Sequence, residues 1–120
     1  MKWEFSDDRP IYTQIVEQMK LFIVSGELSP GEKVMPVREL ASAAGVNPNT
    51  MQRALSELER MELMSSNRTS GRFVTEDKGI IQSAKLEIAR KSISDFLGSM
   101  QKIGYGREEA IKLLESTDES

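Results

Sequence analysis

PVRELASAAGVNPNTMQRALSELERMEL, residues 36–63, decides the fold. Val37, Leu40, Ala41 and Ala44 recur at the helical period, and Gly45 ends the run. Only Val46 separates that glycine from Asn47, a good N-cap, and Pro48 suits the first helical position because its missing N–H would have no partner there. A second periodic stripe follows at Met51, Ala54, Leu55, Leu58 and Met61. At about 100° per residue, Asn49, Arg53, Ser56 and Arg60 point the opposite way, with Gln52 on the flank. Two helices joined by so short a glycine-containing turn make a helix-turn-helix.

Upstream, PIYTQIVEQMKLFIVSG places Ile11, Ile15, Met19, Phe22 and Ile23 on one apolar stripe. Pro10 fits the first helical position, Asp7 and Asp8 suit the positive end of the helix dipole, and Gly26 closes the helix. SPGEK, residues 29–33, reads as a turn. Downstream, Leu63-Met64 and Arg72-Phe73-Val74 flank the polar stretch SSNRTSG, which predicts two short strands around a loop. Helix, turn, helix-turn-helix and hairpin in that order predict a winged helix-turn-helix over residues 1–76.

From Asp77 the pattern becomes a long helix with Leu86, Ala89, Ile93, Phe96, Leu97, Met100 and Ile103 at helical spacing. Gly104-Tyr105-Gly106 breaks it, a short helix REEAIKLLE follows, and the end, STDES, is expected to fray. The expected fold class is therefore mainly α with one small β-hairpin, closed by a two-helix segment over 77–120. One helix cannot bury the stripe of Leu86, Ile93, Phe96, Leu97 and Met100 on itself, which points to a homodimer.

Composition narrows the function. The 120 residues contain no Cys and no His, which removes thiol chemistry, Cys-ligated zinc and the commonest general base. No nucleophile–base pair can be assembled, so an enzyme is not expected, nor a metal or cofactor. Asp7-Asp8 and Glu108-Glu109 resemble carboxylate pairs, but both stand at helix starts, where dipole complementarity explains them. No run approaches the roughly 18 apolar residues of a membrane span, and the start lacks a signal-peptide core, so the expected location is the cytoplasm. Net charge is −3 but uneven. Residues 1–31 carry three basic and five acidic groups, residues 32–74 six and five, and residues 75–120 seven and nine. The middle is the least acidic part.

The sequence resembles the GntR family of bacterial transcription regulators over roughly residues 9–76. RPIYTQI, SGELSPGEKV, VRELA, GVNPNT-MQRALSELE and SGRFV resemble successive family motifs, and the tail ending IGYGREEAIKLLE is similar to that of the YtrA-type subfamily. Three positions depart from the pattern. Val34-Met35-Pro36 replaces Leu-Pro-Ser, Thr69 replaces the first wing glycine, and Glu62 replaces the glycine after the third helix. A side chain at a left-handed position is strained unless the loop rearranges.

The resemblance implies a dimeric DNA-binding repressor or activator of nearby genes, and the subfamily implies a transporter operon as the target. Two-fold symmetry suits a homodimer to a near-palindromic double-stranded DNA operator, and a dimer that obstructs polymerase there is expected to be a repressor. The expected interface follows from the residues. Asn47 and Pro48 open the third helix, and the free N–H groups near Asn49 and Thr50 suit a phosphate. Asn49, Gln52 and Arg53 have the side chains that pair with adenine or guanine edges. Ser70 and Gly71 form the wing, with Arg68 and Arg72 flanking its tip as contacts to phosphate or minor groove. Arg38 is assigned to phosphate or an edge guanine by what the resemblance implies. Arg60 lies further along the axis and is read as structural, with Glu57 as its partner. Met51, Met61 and Met64 are read as core filler.

Two rival readings differ in class. One is a winged helix that binds protein rather than DNA, which would not need four arginines on one face. The other adds an unidentified small-molecule effector between subunits near Tyr105, Phe96 and Met100.

Overall fold

The computed structural model describes residues 1–117; Asp118, Glu119 and Ser120, most of the stretch expected to fray, lie outside the described residues. The chain divides into two compact units, Met1–Lys85 and from Leu86 onward. Each is considered separately.

The first unit holds α1 (Ile11–Val24), α2 (Val37–Ala44), α3 (Pro48–Arg60), β1 (Met64–Asn67), β2 (Gly71–Val74) and the start of α4 (Lys78–Lys102). Pro10 is the N-cap of α1 rather than its first helical residue, one place earlier than its role in the sequence suggests. The apolar stripes meet in one core: Ile15, Met19 and Ile23 of α1, Leu40 and Ala41 of α2, and Met51, Ala54, Leu55 and Leu58 of α3 are all buried. A fully buried aliphatic side chain contributes about 1.5–3 kcal/mol relative to exposure, so these positions fix how α3 sits on the other two helices. Met61 is only half-buried.

β1 and β2 form the expected antiparallel hairpin, Met64 opposite Val74 and Asn67 opposite Gly71. Residues 31–33 of the expected SPGEK turn, together with Val34, also pair with β2. Gly31 N donates to Val74 O at 3.0 Å, Val74 N to Glu32 O at 2.9 Å, and Val34 N to Arg72 O at 2.9 Å. The run is too short and too rich in turn residues to register as a strand by alternation. It ties the base of the wing to the loop entering α2.

The N-terminal stretch also docks. Trp3 stacks on Phe5 and meets Phe22 edge-on. The buried Gln14 amide accepts from Ser6 N and donates to Ser6 O and Arg9 O, each at 2.9 Å. Gln18 brackets the backbone of Glu4 in the same way. Two side-chain amides thus replace a strand partner.

Three helices end in one hydrogen-bond pattern, in which a left-handed residue lets the chain fold back on the last turn. Gly45 (φ 74°) closes α2, with Val46 N on Ala41 O at 3.0 Å. Gly104 (φ 96°) closes α4, with Tyr105 N on Met100 O at 2.9 Å. At α3 the same place is held by Glu62 (φ 64°), with Leu63 N on Leu58 O at 3.0 Å and both leucines buried. Among the described residues Glu62 is the one non-glycine at positive φ. Thr69 escapes that strain: Asn67 Oδ1 accepts from its N–H at 3.0 Å, and Gly71 (φ 104°) takes the left-handed position. Relieving the strain at Glu62 by Glu62→Gly should raise stability by about 0.5–1 kcal/mol, read as a higher urea midpoint at unchanged slope. An unmoved or lowered midpoint would refute strain at this cap.

The second unit contains the rest of α4 and α5 (Arg107–Ser116). Glu109 Oε1 accepts from Gly106 N at 3.0 Å at the start of α5, and Ala110 is fully buried. Leu86, Ile93, Phe96, Ile103 and Leu114 are exposed. Residue 77, expected as the domain boundary, caps α4: Asp77 Oδ1 accepts from Gly79 N at 2.9 Å. The first eight residues of α4 belong to the first compact unit, where Ile80, Ile81 and Ala84 pack on the core.

Candidate nucleic-acid interface

The start of α3 is built by its own sequence. Asn47 Oδ1 accepts from Asn49 N at 2.7 Å and Pro48 occupies the first turn. Asn47, Pro48 and Asn49 are exposed and Thr50 is half-buried. The cap takes Asn49 N, Pro48 has no N–H and Met51 N donates to Asn47 O, so the Thr50 N–H is the first-turn donor left open at the helix end, where the dipole favours an anion.

Along the exposed face stand Asn49, Gln52 and Arg53. Gln52 Nε2 donates to Ser56 Oγ at 3.1 Å. Arg53 is not a freely solvated cation: its guanidinium carbon lies 3.7 Å from the centroid of the Tyr12 ring on α1. The two residues share a cleft of about 290 Å³ with Thr13, Val16, Glu57 and Met61. Arg60 bonds Glu57 as expected, its Nε at 3.0 Å and its Nη2 also in contact. Those hydrogen bonds, and then the charges of Arg60 and Arg53, hold the Glu57 carboxyl below the usual carboxylate range.

The wing cations divide into two kinds. Arg68, Ser70 and Gly71 are exposed at the hairpin tip, and Arg68 has no ion-pair partner among the described residues. Arg72 differs from the expectation of a free contact. Its side chain is only 15% exposed and its Nε donates to Glu59 of α3 at 2.5 Å. It pins the wing to α3, and its donors are partly spent. Arg38 is exposed in the first turn of α2.

Lys33 was missed. A Cβ on Gly71 would lie 3.2 Å from Lys33 Cε, so this lysine lies along the wing beside its left-handed glycine. It lines a cleft of about 430 Å³ with Pro36, Asn67, Ser70 and Arg72. Its place in SPGEK gave no signal, because the pairing of residues 31–34 with β2 brings it there. Tyr12 gave no signal either: it is 41 residues from Arg53, and the packing of α1 on α3 brings the two together.

In the second unit, the expected interface residues Leu86, Ile93 and Phe96 are exposed, and Leu97 and Met100 are half-exposed. A cleft of about 690 Å³ lies among Arg90, Ile93, Leu97, Tyr105 and Arg107. Of the three residues suggested for an effector, Tyr105 lines it and Phe96 and Met100 do not. No group of three or more acidic residues among the described residues is placed to hold a metal ion. No helix among them is long and apolar enough to cross a membrane.

Residues 11–74 match the family described as bacterial regulatory proteins, gntR family. The HTH-type transcriptional repressor YtrA of Bacillus subtilis is 35% identical over 89 residues, covering 73% of this chain and 68% of its own. A GntR family transcriptional regulator from Listeria monocytogenes superposes with a TM-score of 0.86 at 38% identity, covering 95% of this chain and 100% of that one. The DNA-binding domain of AraR in complex with operator ORX1 matches with a TM-score of 0.57 at 26% identity, over 62% of this chain and 96% of that one.

Proposed function

This chain belongs to the gntR family of bacterial regulatory proteins, and we propose that it works as a homodimeric repressor on a near-palindromic operator. It is a DNA-binding transcriptional regulator of the winged helix-turn-helix type. The observation that carries the finer reading is the exposed, asparagine-capped start of α3, with Asn49, Gln52 and Arg53 on its open face. A helix of that form enters the major groove with phosphate at its N-terminus and base edges along its first two turns.

In this reading Asn49, Gln52 and Arg53 select bases, the Thr50 N–H left open by the cap takes a phosphate, and Arg38, Arg68 and Lys33 hold the backbone. Ser70 and Gly71 bring the wing close to the duplex. Arg72 acts through Glu59, setting the angle between wing and reader. The stripe of Leu86, Ile93, Phe96, Leu97 and Met100 joins two copies, and two-fold symmetry presents two α3 helices to two half-sites about one helical turn apart. A dimer seated on a promoter obstructs polymerase. The likeness to the repressor YtrA supports repression, and the subfamily resemblance supports a transporter operon as target.

Selection from a randomised duplex library tests this. The expected result is a two-fold symmetric motif with half-sites 10–11 base pairs apart. Binding to it should weaken steeply with salt, and Arg68→Ala should reduce that slope by about one. A library that emerges unenriched, or a motif without symmetry, would overturn the reading.

A further inference from the structure

We propose that Tyr12 is a positioning residue for base reading, its ring a shelf that presets the Arg53 guanidinium for the DNA edge. The inference deepens the reading of Arg53 as a base contact and rests on it. A long cationic side chain left free in solvent loses rotamer entropy when a complex immobilises it. Here it is already restrained: the guanidinium carbon sits 3.7 Å from the Tyr12 ring centroid, well inside the range of cation–π attraction.

The kind of restraint matters. A carboxylate would hold Arg53 by consuming N–H donors, as Glu59 consumes those of Arg72. Stacking on a ring face uses none of them, so the planar fork that matches a guanine edge stays available. The neighbouring carboxylate that competes for Arg53 is Glu57, one turn on. It is engaged by Arg60 through two hydrogen bonds, which leaves Arg53 to the ring. Tyr12 is itself fixed, half-buried on α1 between Ile11 and the fully buried Ile15, and α1 packs directly on α3. Nothing else among the described residues bonds the Tyr12 side chain. The shelf thus joins the first helix of the fold to the reading helix at one side chain.

The test compares wild type, Tyr12→Phe, Tyr12→Leu, Arg53→Ala and the Tyr12→Leu/Arg53→Ala double variant, each confirmed folded by its urea transition. Each is put through the same randomised duplex library and titrated on the enriched site. Tyr12→Leu should bind about two- to five-fold more weakly, with lost stringency confined to the base pair that Arg53→Ala relaxes. Tyr12→Phe, which keeps the ring, should match wild type, and Tyr12→Leu should add nothing in the Arg53→Ala background. If Tyr12→Leu weakens all sequences alike, or Tyr12→Phe fails as badly, Tyr12 is a backbone contact or a packing residue. The proposal then falls while Arg53 remains the reader. If Tyr12→Leu binds and selects as wild type does, the shelf is overturned in the same way. If Arg53→Ala itself leaves selection unchanged, the underlying reading of Arg53 fails and the shelf fails with it.

Discussion

Replacing Ile93 and Phe96 together with glutamate should turn the protein into a folded monomer that binds its operator at least about a hundred-fold more weakly. Ile93 is 57% exposed and Phe96 37%, and neither belongs to the buried core, so the fold of the chain should survive the change. Placed in an apolar interface, the two carboxylates would lose their hydration with no partner, which costs far more than such an interface regains. The affinity loss follows from linkage of sites: once one half of a dimer is bound, the other half-site is engaged at a high effective concentration, and a monomer forfeits this. The measurement is sedimentation at micromolar protein alongside operator titration. A double variant that still sediments as a dimer would place the interface elsewhere. Deleting everything after residue 76 is a poorer experiment, because it removes Ile80, Ile81 and Ala84 from the first unit's core. Its loss of binding would mix unfolding with dissociation.

Arg53→Ala should cost about 1–3 kcal/mol on the selected operator and relax preference at one base pair per half-site. Arg53 is exposed and its guanidinium touches a ring rather than filling a core position, so the thermal transition should barely move. The loss should also be specific: binding to unrelated duplex should change only by the electrostatics of one charge. Alanine variants of Asn49 and Gln52 on the same library complete the picture. If all three select the wild-type motif with undiminished stringency, α3 does not read bases and the proposed mechanism loses its centre.

The contrast between Arg53 and Arg72 shows where the sequence stops. Both are arginines at positions where a free, DNA-facing cation is the natural reading. Arg53 keeps its donors and gains a shelf; Arg72 gives its Nε to Glu59, thirteen residues away, and becomes a brace between wing and helix. Residue type and period place a side chain on a face but say nothing of which neighbour another element brings within reach. Lys33 is the converse case, a charge passed over as part of a turn until pairing to β2 sets it beside the wing.

What the sequence by itself determined is local. Helical periods place α1 to α5, Asn47 and Pro48 start α3 where the side-chain chemistry requires, and Gly45 and Gly104 end their helices where only a left-handed residue fits. The strained cap at Glu62 was equally visible as a departure from the glycine expected there. These features depend on a few neighbouring residues, so their causes lie within one turn of chain. The tertiary structure alone decided the third pairing at residues 31–34, the docking of the first nine residues through Gln14 and Gln18, and the partners of Arg53 and Arg72. Each joins groups that no period links, and each exists because burial of the three-helix core fixes α1, α3 and the wing at distances where those side chains meet.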